Sequence, residues 1–155
     1  MTSTGHALIG ASIASQIPNP FIAIPLAFLS HFLIDKIPHW DAMTNKKNKT
    51  QKQIYTETLI DICLGFTLVI VIFWGIFKVS DPILILISAF AAALPDYLEA
   101  PYLILHKKIF PFYQNYKLQS WIHDVGFDAR MNAPWGIVTQ VGVVLVFLVW
   151  AAPKS

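Results

Sequence analysis

The sequence predicts an all-α integral membrane bundle of about four transmembrane helices, preceded by a short, half-spanning helix at the N-terminus. Three observations lead to it. Of the 155 residues, 55% are hydrophobic and only 13% charged, a balance soluble domains rarely have. Segments 54–77, 82–105 and 134–152 are each close to the ~20 apolar residues that cross ~30 Å of hydrocarbon. The few acidic residues inside the first two of these segments gather toward one end of each, and 134–152 has no ionisable residue.

Taken in order, residues 7–17 form the first apolar run, too short to span alone and therefore expected to lie against protein and not lipid. Thr4 is placed to cap it. Pro18-Asn19-Pro20 reads as a tight turn, because proline presets the backbone and Asn tolerates turn conformations. The run 21–37 follows, closed by Pro38, and then come a polar lysine-rich loop and the three long segments. The N-terminus has neither a basic n-region nor a small-residue cleavage site, so the whole chain, 1–155, is expected to be retained as a single helical domain. Cys63 is the sole cysteine, which leaves no internal disulfide and makes it a structural thiol in an apolar helix.

Orientation follows from the basic residues, which favour cytoplasmic loops. Lys36, Lys46, Lys47, Lys49 and Lys52 flank the first polar loop and Lys107, Lys108, Lys117 and Arg130 the last, against Lys78 and Lys154 on the other side. Both basic loops and the N-terminus are thus expected in the cytoplasm of a multi-pass inner-membrane protein, with the C-terminus external. The 46–52 run reads as a solvated loop attracted to anionic lipid headgroups, not as a nucleic-acid site.

That topology predicts the depth of each buried polar residue. His6 opens the first helix, His31 and Asp35 close the second, Asp61 lies two turns into the third segment, and Asp96 and Glu99 lie in the matching half of the fourth. All fall in one layer. His31 and Asp35 are four residues apart and share a helix face, while Pro38 ends the helix and lets His39 and Asp41 fold back. Imidazole and carboxylate are costly in lipid unless paired or ligated, so His6, His31, Asp35, His39 and Asp96 are candidate metal ligands. Asp61 and Glu99 are candidate proton acceptors, and His123 is placed to reach the site from the last loop.

Simpler readings exist for each. Asp61 would also serve as a hydrogen-bond acceptor for nearby Thr and Ser. Asp96 and Glu99 would suit the first turn of a helix restarted by Pro95. His39 and Asp41 would be ordinary at an interface. In the segment 105–133, Phe110, Phe112, Tyr113 and Tyr116 suggest an interfacial stretch, Trp121-Ile122-His123-Asp124 the start of a surface helix, and Asp128 beside Arg130 a local ion pair.

With these residues in place, the chain resembles the bacterial membrane-bound metal-dependent hydrolases of the YdjM/YbcI-like group. The likeness lies in Thr4-Gly5-His6 with Gly10, Leu29-Ser30-His31-Phe32-Leu33-Ile34-Asp35, Pro38-His39-Trp40-Asp41 and Leu94-Pro95-Asp96. It implies metal ligation by His6, His31, Asp35 and Asp96. More loosely, the spacing of His31, Asp35 and His39 is similar to the ligand helix of zinc-dependent phospholipase C. The His-Arg-Gly-x-Thr-His segment of many YdjM-like proteins is missing here. The reading is then a metal-dependent hydrolase at the cytoplasmic interface, holding one or two divalent ions, Zn²⁺ or Mn²⁺/Fe²⁺. Its expected substrate is a phosphoester of a membrane lipid or lipid-linked molecule. The alternatives are a noncatalytic metal-binding membrane protein, whose ligand shell would be closed, and an ion or proton transporter, which would need ionisable residues through both leaflets. The far halves, 67–76 and 82–90, contain none.

Overall fold

A computed structural model describes residues 1–124 and 129–153, the side chains at 46, 123 and 124 excepted. Six α-helices follow in order: α1 Ser3–Gln16, α2 Pro20–Ile34, α3 Gln51–Val69, α4 Pro82–Leu105, α5 Phe112–Asp124 and α6 Trp135–Ala151. A π-helical turn, Ile70–Ile76, continues α3. Among the described residues there is no strand, only an isolated bridge between His39 and Arg130.

Local chemistry accounts for most of the boundaries. Thr2, not Thr4, caps α1, its hydroxyl accepting from the Gly5 N–H at 3.2 Å. The Pro18-Asn19-Pro20 turn forms as expected, with Asn19 capping α2 and Pro20 in its first turn, where the missing N–H costs nothing. Thr50 and Gln53 make a reciprocal capping box at the start of α3. Asp81 caps α4, accepting from the Leu84 N–H at 2.9 Å. The second helix is shorter than the run 21–37: it ends at Ile34, and turns through 35–37 lead into Pro38.

The short first helix is the centre of the molecule. Eleven of its fourteen residues are buried, packed by α2, α3, α4 and α6. It is lined with small residues, and the closest approach is at Gly10, where a Cβ would stand 2.5 Å from Ser88 O and 2.7 Å from the Ala92 Cβ. Small residues dominate the closest contacts, while Leu8, Ile9, Val69, Phe73, Leu84 and Ile85 fill the rest of the interior. Many other large apolar side chains point outward: Phe21, Leu33, Ile83, Trp135 and Val149 are among the most exposed. The α3 helix with its π-turn, Gln51–Ile76, and α4 are long and apolar enough to cross a membrane, while Pro20–Ile34 and Trp135–Ala151 are apolar but shorter.

Two points concern α4 and α5. The single segment expected over 82–105 forms as α4, unbroken through Pro95 and Pro101, so the alternative of a helix restarted at Pro95 is not adopted; in that turn Ala92 O and Pro95 O accept from side chains of α2 and α5. The aromatic stretch and the helix expected to start at Trp121 are one element, α5, packed against α4. Tyr102 of α4 stacks on Tyr113 and Tyr116, with ring centroids 5.1 and 4.5 Å apart.

Candidate metal centre

The centre is assembled at the end of the bundle where α1 begins and α2 ends. His6, in the first turns of α1, and His31, in the last turn of α2, stack with ring centroids 4.0 Å apart. Both are almost fully buried. Together with Asp96 of α4 they present ligand atoms all within 4.8 Å of one another. Asp35, four residues beyond His31, is buried beside them, its Oδ1 3.0 Å from His6 Nε2 and its Oδ2 3.4 Å from His31 Nε2. The N-terminal ammonium of Met1 also bonds to Asp35 Oδ1.

His31 has the most informative surroundings. Its Nδ1–H donates to Ala92 O at 2.9 Å, a backbone bond of the kind that fixes the tautomer of ligating histidines. Ala92 lies in the α4 turn that Pro95 opens, where the ring removes one N–H from the helix ladder. The other nitrogen, Nε2, then faces three oxygens: Gln119 Oε1 at 3.3 Å, Asp35 Oδ2 at 3.4 Å and Asp96 Oδ1 at 3.6 Å. Gln119 is held in that sense because its Nε2 donates to Pro95 O at 2.7 Å. With a proton already on Nδ1, a nitrogen ringed by oxygens is satisfied by a second ring proton, by an O–H on one of the neighbouring carboxyls, or by a cation among them. Two imidazoles and two carboxylates are a donor set that fits a borderline divalent cation.

Gln119 was not among the sequence candidates. It lies in a polar helix with no metal-ligand spacing, and only the docking of α5 on α4 brings it to His31. Asn115, one turn earlier, donates to the same Pro95 O at 2.7 Å.

Of the remaining described candidates, His39 and Glu99 are not in this group. His39 is not brought to the group: its Nδ1–H donates to Ile37 O at 2.8 Å, and its Nε2 is 3.7 Å from Asp41 Oδ2. It belongs to a clasp in which residues 38–41 are tied to the segment leading into α6 and to its first turn, His39 N–H to Ala129 O at 2.9 Å, Met131 N–H to His39 O at 2.7 Å and Trp40 N–H to Gly136 O at 3.2 Å. Arg130 completes the clasp by donating to Asp41 at 3.1 Å. Burial by itself pushes the Asp41 carboxyl up, but the His39 hydrogen bond, the N-terminal ammonium and the Arg130 guanidinium outweigh it and hold the group well below the usual carboxylate range. The side chain of His123, and Asp128 with it, lie outside the described residues. Glu99 is half-buried one turn beyond Asp96.

Asp61 is engaged by the start of α1, as in its alternative reading as a hydrogen-bond acceptor near Thr and Ser. Its Oδ2 accepts from the Ser3 N–H at 2.6 Å and its Oδ1 from the Thr4 N–H at 3.1 Å, while Thr4 Oγ1 donates to the Asp61 carbonyl at 2.8 Å. The carboxylate thus sits on the positive end of α1 and pairs two of its otherwise orphaned donors. Asp61→Ala is expected to lower stability by about 1–3 kcal/mol, read as a drop in the thermal midpoint of the purified protein, with metal content unchanged. Loss of metal from a variant that keeps the parental midpoint would make Asp61 a ligand after all.

Comparison of the chain with protein-family models, with curated proteins and with solved structures finds no match in any of the three.

Proposed function

We infer that the protein is a membrane-embedded metal-dependent hydrolase acting on a phosphoester of a lipid or lipid-linked substrate. The observation that carries this reading is the convergence of His6, His31 and Asp96 within 4.8 Å, at one end of a bundle whose outer surface is apolar. The four-span arrangement belongs to the same proposal: α3 and α4 cross the bilayer, while α2 and α6, about 22 and 26 Å long at 1.5 Å per residue, reach its interfaces with help from flanking residues and local thinning. The lysine asymmetry supports a cytoplasmic site in an inner membrane, and the YdjM-like resemblance points to the same chemistry.

A bound divalent ion would supply Lewis acidity toward a phosphoryl oxygen and lower the pKa of water to about 7. The chain supplies the rest. His31, protonated at Nδ1 by its bond to Ala92 O, keeps Nε2 available as a ligand atom, and His6 is aligned with it by stacking. Asp35, with its oxygens 3.0 Å from His6 Nε2 and 3.4 Å from His31 Nε2, would be a further oxygen ligand beside them. The Asp96 side chain is 32% exposed, which leaves that flank open to substrate; an open position is what separates a catalytic from a closed structural site. Glu99, one turn along the same helix, is the carboxylate assigned to take the proton from the attacking water.

The test is metal analysis of the purified full chain, followed by phosphate release from phosphatidic acid vesicles before and after chelation. Expected are near-stoichiometric zinc, manganese or iron and a release that chelation removes and the same metal restores. Bound metal with no hydrolysis would favour the noncatalytic reading, and a metal-free protein that stays inert in supplemented buffer would overturn both.

A further inference from the structure

The amide of Gln119 differs in kind from the other groups around His31. Its Oε1 lies 3.3 Å from His31 Nε2, and the residue is buried. The amide cannot be turned around, because its Nε2 donates to Pro95 O at 2.7 Å, and an oxygen in that place would meet the carbonyl as a second acceptor. Pro95 O also accepts from Asn115 at 2.7 Å. Two amides of α5 thus dock on one carbonyl of α4, and that docking aims the Gln119 oxygen at the metal group.

Asp35 and Asp96 can each carry a proton toward His31 Nε2, whereas an amide oxygen has only lone pairs to offer. With His31 Nδ1–H committed to Ala92 O, the Gln119 contact is matched by a second ring proton or by a cation. The distances favour the cation. A protonated ring would draw one oxygen into a charge-assisted hydrogen bond of about 2.7–2.9 Å, yet the three oxygens stand at 3.3, 3.4 and 3.6 Å, none of them preferred. Donor atoms that share one ion at about 2.0–2.2 Å lie about 3.0–3.5 Å apart, close to this spacing.

We propose that Gln119 Oε1 is a further ligand of the metal centre, so that one ion ties α5 to α1, α2 and α4, and that this donor tunes the site toward Mn²⁺ or Fe²⁺ and away from Zn²⁺. Zinc is complete with four tetrahedral donors. With Gln119 the set reaches five, two imidazole nitrogens and three oxygens, and harder oxygen donors in a larger shell suit Mn²⁺ and Fe²⁺. The ion also acts as a fastener, because α5 packs against α4 and gains through Gln119 a link to the helices behind it. The proposal rests on the metal centre described above but not on hydrolysis.

The experiment titrates the full chain in phosphatidylcholine nanodiscs with Mn²⁺ alone and with Zn²⁺ alone, and compares Gln119→Leu with Gln119→Glu. Both variants lose the bond to Pro95 O, and only Gln119→Glu keeps an oxygen at the end of the side chain. Gln119→Leu is expected to lower Mn²⁺ affinity about tenfold or more, with a smaller loss for Zn²⁺. Gln119→Glu should hold Mn²⁺ at least as tightly as the parent. The Mn²⁺-to-Zn²⁺ ratio is the readout, because Zn²⁺ binds more tightly than Mn²⁺ at most sites of this kind. Hydrogen exchange gives a second measure: Mn²⁺ should slow exchange of the α5 amides in the parent and in Gln119→Glu, but not in Gln119→Leu. Unchanged Mn²⁺ affinity in Gln119→Leu would overturn the proposal, as would equal losses of the two metals or an equal fall in the two variants. So would α5 exchange that Mn²⁺ leaves unaltered in a parent that binds it, a measurement that needs no variant and stands even if a substitution fails to fold. Those outcomes leave the metal centre in place, whereas a parent that binds neither ion would remove the centre and this proposal with it.

Discussion

His31→Ala is expected to abolish stoichiometric metal binding, with affinity falling on the order of 10²-fold or more, because even second-shell partners of a metal ligand are worth 10–100-fold. The loss has three parts. One imidazole nitrogen disappears from the group, the ring that stacks on His6 at 4.0 Å is removed, and Gln119, Asp35 and Asp96 are left facing one another across an apolar methyl. Asp96→Asn is the companion variant: it keeps the shape but removes a negative charge, and a comparable drop in metal content is expected. Elemental analysis of both purified proteins, with helical content checked by circular dichroism, decides the matter. Full metal content in the two folded variants would remove the proposed centre.

Gly10→Leu is expected to prevent the bundle from assembling, and even Gly10→Ala should cost about 1–3 kcal/mol. A methyl at Gly10 would lie 2.5 Å from the backbone oxygen of Ser88 and 2.7 Å from the Ala92 Cβ. A backbone atom cannot swing aside, so α1 and α4 must part. The consequence reaches the metal group, because Ala92 also supplies the carbonyl that orients His31. Metal affinity and the thermal midpoint should therefore fall together. Gly142→Ala is the control: no atom lies within 4 Å of its added Cβ, and an alanine in a helix is favoured over glycine by up to ~1 kcal/mol. A midpoint unchanged in Gly10→Ala, or lowered as much in Gly142→Ala, would show that the close approach of α1 and α4 is not what holds the bundle.

The sequence by itself determined what is local. Apolar length located the helices, the two prolines around Asn19 set the α1–α2 turn, and the four-residue spacing of His31 and Asp35 put them on one face, because each depends only on neighbours along the chain. Placing His6, His31, Asp35 and Asp96 at one depth needed only helix rise and the direction of each segment. Partners across space were not legible in this way. Asp61 reads as a catalytic acid beside Leu59 and Ile60, and only packing reveals the two α1 N–H groups that occupy it. The run 82–105 reads as one helix despite Pro95 and forms as one, but nothing along the chain shows that His31, Asn115 and Gln119 reach the carbonyls of that turn from two other helices. His39 shares a helical spacing with His31 and Asp35, but the chain leaves the helix after Ile34 and the 38–41 clasp carries it away. Gln119 has no sequence signature as a ligand, since the docking of a separate helix brings it to His31. Periodicity is a property of one element, whereas hydrogen-bond partners in a buried site are chosen by which elements pack together, and that was decided by the close approach that glycine and alanine on α1 permit.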